Sequence, residues 1–316
     1  MEYLRDIVLT AVVCYFAGLG QFEESKYMIQ ANIIDRGDYS VEEFERQYNP
    51  RQAVPDHQGK IEARVIASAE ARCRIEGIYD LRYGPGPKEV LDVFPAATDS
   101  APVQFYIHGG YWRAQDKSDV SFLAEPFTQS GACVVIINYD LCPAVTLPEI
   151  IAETVRALSW THGNIAELGG DPGRIYISGN SAGGHLGAMM LAHDWAADGL
   201  PKDLIKGAAL LTGVYDPEPV LGISINEVIG LTPDMIQTVS PLQNLPLRDL
   251  PLLVPVGGNE TTEWIKQSRS YVDLCLSKGI NAQYLEVPGA DHFDMTGAMG
   301  DADGPVLPAI LAQMGL

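Results

Sequence analysis

The sequence is poor in the features that announce disulfides, metals, nucleotides or membranes. Its 316 residues hold five cysteines, an odd number without paired spacing, which argues for free thiols in a reducing, cytoplasmic compartment. No H-x-x-x-H pair and no Cys/His cluster of ligand spacing occurs, so no metal is expected. Gly-Gly recurs, but G-x-x-x-x-G-K-[ST] does not, and without a phosphate-binding loop no cofactor is expected. Basic residues are scarce as well: 21 Lys and Arg stand against 41 Asp and Glu, a formal net charge of −20 at pH 7. That balance favours solubility and opposes nucleic acid, anionic membranes and polyanionic substrates. The excess falls in no single block, so it reads as a solvated surface. The apolar run Ile7 to Gly20 is shorter than the ~20 residues needed to span a bilayer. Met1 to Asp6 has no net positive charge and no clean A-x-A site follows, so a buried helix is expected there rather than a signal peptide.

What is present is an alternation of short apolar runs and helical patterns. Hydrophobic residues make up 47% of the chain, enough for a large core, and α/β folds of this length often form one domain. Cys133–Tyr139 and Ala208–Leu211 are short apolar runs of buried-strand type, and Val103–Ile107, Arg174–Ser178, Leu252–Val256 and Gln283–Val287 also read as strands. Leu147 to Trp160 places Ile150, Ile151, Val155 and Leu158 near helical spacing. The expected architecture is α/β, a mostly parallel central sheet with helices on both faces.

Two glycine-rich motifs sit at the ends of these strands. Gly179-Asn180-Ser181-Ala182-Gly183 spells G-x-S-x-G after a strand and before the helix expected over Gly184–Trp195, the context a nucleophile elbow requires. A serine hydroxyl is a weak nucleophile, so it must project from a sharp turn toward a base, with small neighbours that let the backbone close. Ser181 is the candidate nucleophile, and the Ala182 N–H, at the positive end of the new helix, a candidate oxyanion donor. His108-Gly109-Gly110-Tyr111-Trp112-Arg113 follows another strand, where Gly110 and Tyr111 are further candidate donors. An acid and a histidine should follow in that order, each past a strand end. Glu260, in Gly257-Gly258-Asn259-Glu260, and His292, in Gly289-Ala290-Asp291-His292, fit; Asp249, Glu263, Asp291 and Asp294 compete for the acid. Trp112, Tyr215 and Asn180 are candidates for substrate contact, with core packing the alternative for Trp112. Cys142 reads as a buried thiol rather than a site residue.

The two motifs together resemble the arylformamidase (kynurenine formamidase) branch of the α/β-hydrolases, related to the hormone-sensitive-lipase-like esterases. Tyr48-Asn49-Pro50-Arg51, Gly213-Val214-Tyr215-Asp216 and Ser240-Pro241-Leu242 resemble segments such enzymes carry in the same order, so the likeness covers roughly residues 40 to 316. Glu260 departs from that family's usual aspartate, Asn180 from its common histidine, and Tyr111 from the third glycine of the esterase relatives. The resemblance implies a serine hydrolase acting on an aryl formamide such as N-formyl-kynurenine. Its alternative is a carboxylesterase or amidase on small aryl or short-acyl substrates. Residues 61–316 would be the catalytic domain, and residues 1–60 a helical arm or lid, or a segment packed on the back of the sheet. A homodimer is the base-rate expectation.

Overall fold

The computed structural model describes residues 34–316, so the helix expected over Ile7–Gly20 lies outside the described residues. The described chain begins with helices α1 (Val41–Tyr48), α2 (Pro50–Ala53) and α3 (His57–Arg74). Ser40 caps α1 by accepting the Glu43 N–H, and Asn49 caps α2 by accepting from Arg51. The domain boundary expected after residue 60 falls inside α3.

Strands β1 (Ile78–Arg82), β2 (Val90–Phe94), β3 (Ala101–Ile107), β4 (Cys133–Ile137), β5 (Gly170–Asn180), β6 (Ile205–Leu211), β7 (Leu252–Gly257) and β8 (Ala282–Val287) form one 8-stranded sheet in the order β1-β2-β4-β3-β5-β6-β7-β8. Pairing is antiparallel between β1 and β2 and between β2 and β4, and parallel from β4 to β8. The helices that connect and cover the strands are α4 (Ala124–Gln129), α5 (Leu147–Asn164), α6 (Ala182–Leu191), α7 (Asn226–Ile229), α8 (Pro233–Val239), α9 (Thr262–Ser277), α10 (Asp294–Ala298) and α11 (Val306–Met314).

Strand side chains alternate between two cores, as the pleat requires. Phe105, Ile107, Val135 and Ile137 pack with Leu158 of α5, Leu186 of α6 and Tyr271 of α9. Tyr106, Val134 and Ile136 pack with Phe127 of α4 and with Leu307 and Ile310 of α11. Both faces are therefore covered, and burying each such side chain is worth ~1.5–3 kcal/mol.

The sequence reading missed β1 and β2, which are short and interrupted by charge. Asp92 in β2 is fully buried, held by Arg72 of α3 at 2.7 Å and Lys117 at 2.8 Å. This paired charge couples α3 to the sheet, and breaking it would leave an uncompensated buried ion. Helix α6 starts at Ala182, two positions before the expected Gly184, because the elbow turns directly into it. It stops at Leu191 rather than Trp195, whose ring folds back so that Nε1–H donates to the Met190 carbonyl at 3.1 Å.

Glu153 of α5 accepts the Asp140 N–H at 2.7 Å and is almost fully buried. Burial, reinforced by Asp140 and Glu89, pushes its carboxyl up to about 7. Between the unfolded value near 4.5 and about 7 the folded state holds the extra proton, so stability falls as pH rises through that window. Glu153→Gln keeps an acceptor without the charge. It should raise the urea midpoint more at about pH 8 than at about pH 5; an equal change at both would contradict this.

Candidate active site

The loops after β3, β5, β7 and β8 converge at the carboxyl edge of the sheet, where open α/β folds collect their sites. Ser181 follows β5 with φ 57° and ψ −117°, a strained conformation for a residue bearing a Cβ. Its own N–H donates to Leu211 O at 2.9 Å and its carbonyl accepts from His185 N at 3.0 Å, bonds that hold the turn shut. The turn also needs Gly183: a Cβ there would lie 2.0 Å from the Ile107 carbonyl oxygen.

His292, past β8, reaches both partners. Its Nε2 lies 3.0 Å from Ser181 Oγ and its Nδ1 lies 2.8 Å from Glu260 Oε2. The carboxylate can only accept, so Nδ1 carries the proton and Nε2 is left to accept from the serine. Glu260, past β7, is held by the Gly257 N–H at 3.2 Å and by a bond from the Thr212 hydroxyl. The Trp264 ring stands edge-on to His292 at 4.5 Å, and its Nε1–H donates to Thr212 O.

The competing carboxylates are engaged elsewhere. Glu263 accepts from the Tyr39 and Tyr48 hydroxyls, Asp291 and Asp294 pair with Lys60, and Asp249 accepts from Asn281 N. The other motif histidines are structural: burial lowers both His108 and His185 to about 4, so both stay neutral. His108 stacks on Tyr139 at 4.4 Å, and His185 Nε2 bonds Val239 O at 2.7 Å.

The loop after β3 packs against the elbow so closely that a Cβ on Gly109 would meet Asn180 O at 2.9 Å. Gly110 has φ +108° and Tyr111 φ 53°, and among the described residues neither backbone N–H has a hydrogen-bond partner. Gly110, Tyr111, Asn180, Ser181 and His292 line one pocket of ≈ 480 Å³, open mouth included. Ala182 is buried at the first position of α6 and does not itself line the pocket. Asn180 lines the pocket, and its Nδ2 is buried without a hydrogen-bond partner among the described residues.

Two expected substrate contacts are core residues instead. Trp112 is fully buried against Tyr111 and His185, and Tyr215 stacks on Tyr271 at 4.3 Å while its hydroxyl donates to Leu210 O. Neither lines the pocket, because each ring gains more from complete burial than the open edge offers. Cys142 is buried, away from the pocket, and burial pushes its thiol up to about 11.

The sequence reading did not assign the remaining wall. Asn49, Pro50 and Arg51 from the start of α2, Arg64 of α3 and Arg113 all face the pocket. This N-terminal segment is bonded to the site: the Tyr111 hydroxyl donates to Tyr48 O at 2.8 Å, Thr261 donates to Gln47 O, and Lys60 grips Asp291 beside His292. The sequence signal for it was the Tyr48-Asn49-Pro50-Arg51 likeness.

Comparison with known proteins agrees with this geometry. Residues 104–293 match the α/β-hydrolase fold family model. The chain is 31% identical over 295 residues to the kynurenine formamidase of Salmo salar, covering 88% of this chain and 98% of that one. It is 29% identical over 254 residues to esterase LipC of Mycobacterium tuberculosis, covering 72% and 62% of the two chains. A solved structure of a proposed thioesterase from Silicibacter sp. superposes with a TM-score of 0.75 at 26% identity, covering 85% and 99%. An elbow serine within reach of a carboxylate-bound histidine, in a chain aligned along nearly its whole length with such relatives, makes this protein a hydrolase belonging to the α/β-hydrolase fold family, in its arylformamidase-like branch.

Proposed function

We propose that the protein hydrolyses an aryl formamide of the N-formyl-kynurenine type through an acyl-enzyme. The observation that carries the reading is the continuous chain from Ser181 Oγ to His292 at 3.0 Å and on to Glu260 at 2.8 Å. As His292 Nε2 takes the hydroxyl proton, Ser181 Oγ bonds to the formyl carbon and the carbonyl electrons move to oxygen. The N–H groups of Gly110, Tyr111 and Ala182 receive that oxyanion, each worth about 10²–10³ in rate. The C–N bond then breaks, His292 returns the proton to the departing arylamine, and water activated by the same imidazole releases formate and restores Ser181. Glu260 orients the ring and stabilises the imidazolium. Asn180, on the pocket wall, is the side chain expected to contact the substrate.

The alternative, a carboxylesterase or amidase on small aryl or short-acyl substrates, draws support from the esterase relatives and uses the same residues, since specificity lives in pocket shape. Steady-state kcat/KM for N-formyl-kynurenine against p-nitrophenyl acetate and butyrate, with Ser181→Ala as the blank, separates them. A formamide preference of about 10²-fold or more, or roughly 2.7 kcal/mol of differential transition-state binding, is expected. Ester turnover with negligible formamide cleavage would favour the alternative. No helix among the described residues is long and apolar enough to cross a membrane. A cytoplasmic setting is supported by the free thiols Cys73, Cys133, Cys142 and Cys275, and a homodimer by base rate alone.

A further inference from the structure

The pocket beside Ser181 carries a charge opposite to that of the protein. The chain has 41 acidic and 21 basic residues, yet among the described residues no Asp or Glu lines this pocket, while Arg51, Arg64 and Arg113 do. Six arginines elsewhere pair with carboxylates, Arg46 with Glu43, Arg72 with Asp92, Arg74 with Glu125, Arg156 with Glu89, Arg174 with Asp171 and Arg269 with Glu286, while Arg82 and Arg248 bond backbone carbonyls. Among the described residues the three pocket arginines have no carboxylate partner, and only Arg64 makes a side-chain bond, to the Thr296 hydroxyl at 2.6 Å. The acids nearest this wall are occupied. Asp291 and Asp294 take Lys60, and Glu45 accepts from Asn49 and Ser224. Burial lowers the pKa of Arg51, and the neighbouring Arg113 charge lowers it further. Two guanidinium groups held close without a counter-ion repel each other, and a bound anion relieves that cost. Planar guanidinium forks suit a carboxylate in particular.

We infer that this pocket selects a substrate with a carboxylate on the leaving group, seated against Arg51 and Arg113. The inference deepens the hydrolase reading above and rests on it. Arg64 of α3 adds positive potential, partly offset by the neighbouring Asp119 carboxylate. The absence of an acidic lining residue leaves an α-ammonium without an ionic partner, so a zwitterion gains less than a plain carboxylate. The acidic exterior repels anions at long range, but salt screens that repulsion beyond about 8 Å at physiological strength, whereas the pocket arginines act in contact.

Three esters of one scaffold test this: 3-(4-acetoxyphenyl)propionate, its methyl ester, and O-acetyltyrosine, which are anionic, neutral and zwitterionic. At low salt kcat/KM for the anion should exceed that for the neutral ester by about 10-fold or more, the range expected of a charge-assisted hydrogen bond. The zwitterion should fall below the anion. In the double variant Arg51→Gln with Arg113→Gln the anion-to-neutral ratio should drop toward one. Arg113→Lys should retain part of it, and Arg269→Gln, on the remote surface, should not change it. Because the comparison is a ratio within each variant, a general loss of folded protein cancels. A ratio near one in the wild type, or one retained by the double variant, overturns the inference while leaving the hydrolase reading intact. A zwitterion turned over as well as the anion overturns the expectation that an α-ammonium finds no ionic partner there. If none of the three esters nor N-formyl-kynurenine shows Ser181-dependent turnover, the hydrolase reading falls and the inference with it.

Discussion

Ser181→Ala is expected to lower kcat by up to roughly 10⁶-fold, and His292→Ala by a similar factor, with little change in the urea midpoint of either variant. The reason is geometric. Ser181 Oγ has one base within reach, His292 Nε2 at 3.0 Å, and without it the hydroxyl reverts to an un-ionised alcohol. The double variant should be scarcely slower than either single one, because each substitution already removes the whole nucleophilic route. Additive losses would argue that the two residues act separately. Glu260→Ala should cost less than either. It leaves both the attacking and the accepting atom in place and removes only what orients the ring and balances its charge. Should Glu260→Ala prove nearly wild type while Asp291→Ala is inactive, the acid has been misassigned; the Lys60 pair on Asp291 argues against that outcome.

The second large effect is on folding rather than chemistry. Gly183→Ala adds a methyl whose carbon would sit 2.0 Å from Ile107 O and 2.8 Å from His108 O. Both obstacles are backbone at the end of a central strand, so neither can swing away as a side chain would. The turn at Gly179 is already filled from the same side, since a Cβ there would meet Gly183 O at 2.2 Å. A loss of ~3 kcal/mol or more is expected, at or beyond the upper end for overpacking. It should be read as a fall in the urea midpoint, with the fluorophosphonate reactivity of Ser181 lost in whatever protein remains folded. A variant with wild-type stability and full labelling would mean that α6 does not pack on β3 as closely as described.

The site was unevenly legible in the sequence. Ser181 and His292 stood out because each follows a strand-like run, the first buried and the second at the sheet edge, and loops after parallel strands gather at one edge. The donor loop was legible for the same reason, with Gly109-Gly110 directly after β3. Glu260 was one of several acids in a chain full of them. Its role emerged from hydrogen-bond occupancy, with Glu263, Asp291 and Asp294 taken by tyrosines and a lysine. Trp112 and Tyr215 misled because an aromatic beside a motif gives no indication of which way its ring points. Strands β1 and β2 escaped notice because Asp92 breaks the apolar pattern, and a buried aspartate is tolerable only where Arg72 and Lys117 meet it from distant parts of the chain.

By itself the sequence determined the parallel sheet, its coverage on both faces and the strand-end positions of Ser181 and His292. These depend on local patterns, namely runs of buried-strand length, helical periodicity, and the small residues a sharp turn demands. Tertiary structure alone decided which carboxylate meets His292, which aromatics are core, and which residues close the pocket. Arg51, Arg64 and Arg113 lie on separate segments, and any one of them reads as an ordinary surface arginine. Their common charge becomes a property of the site only when α2 and α3 pack over the carboxyl edge of the sheet, because electrostatic fields sum over distance in space and not along the chain.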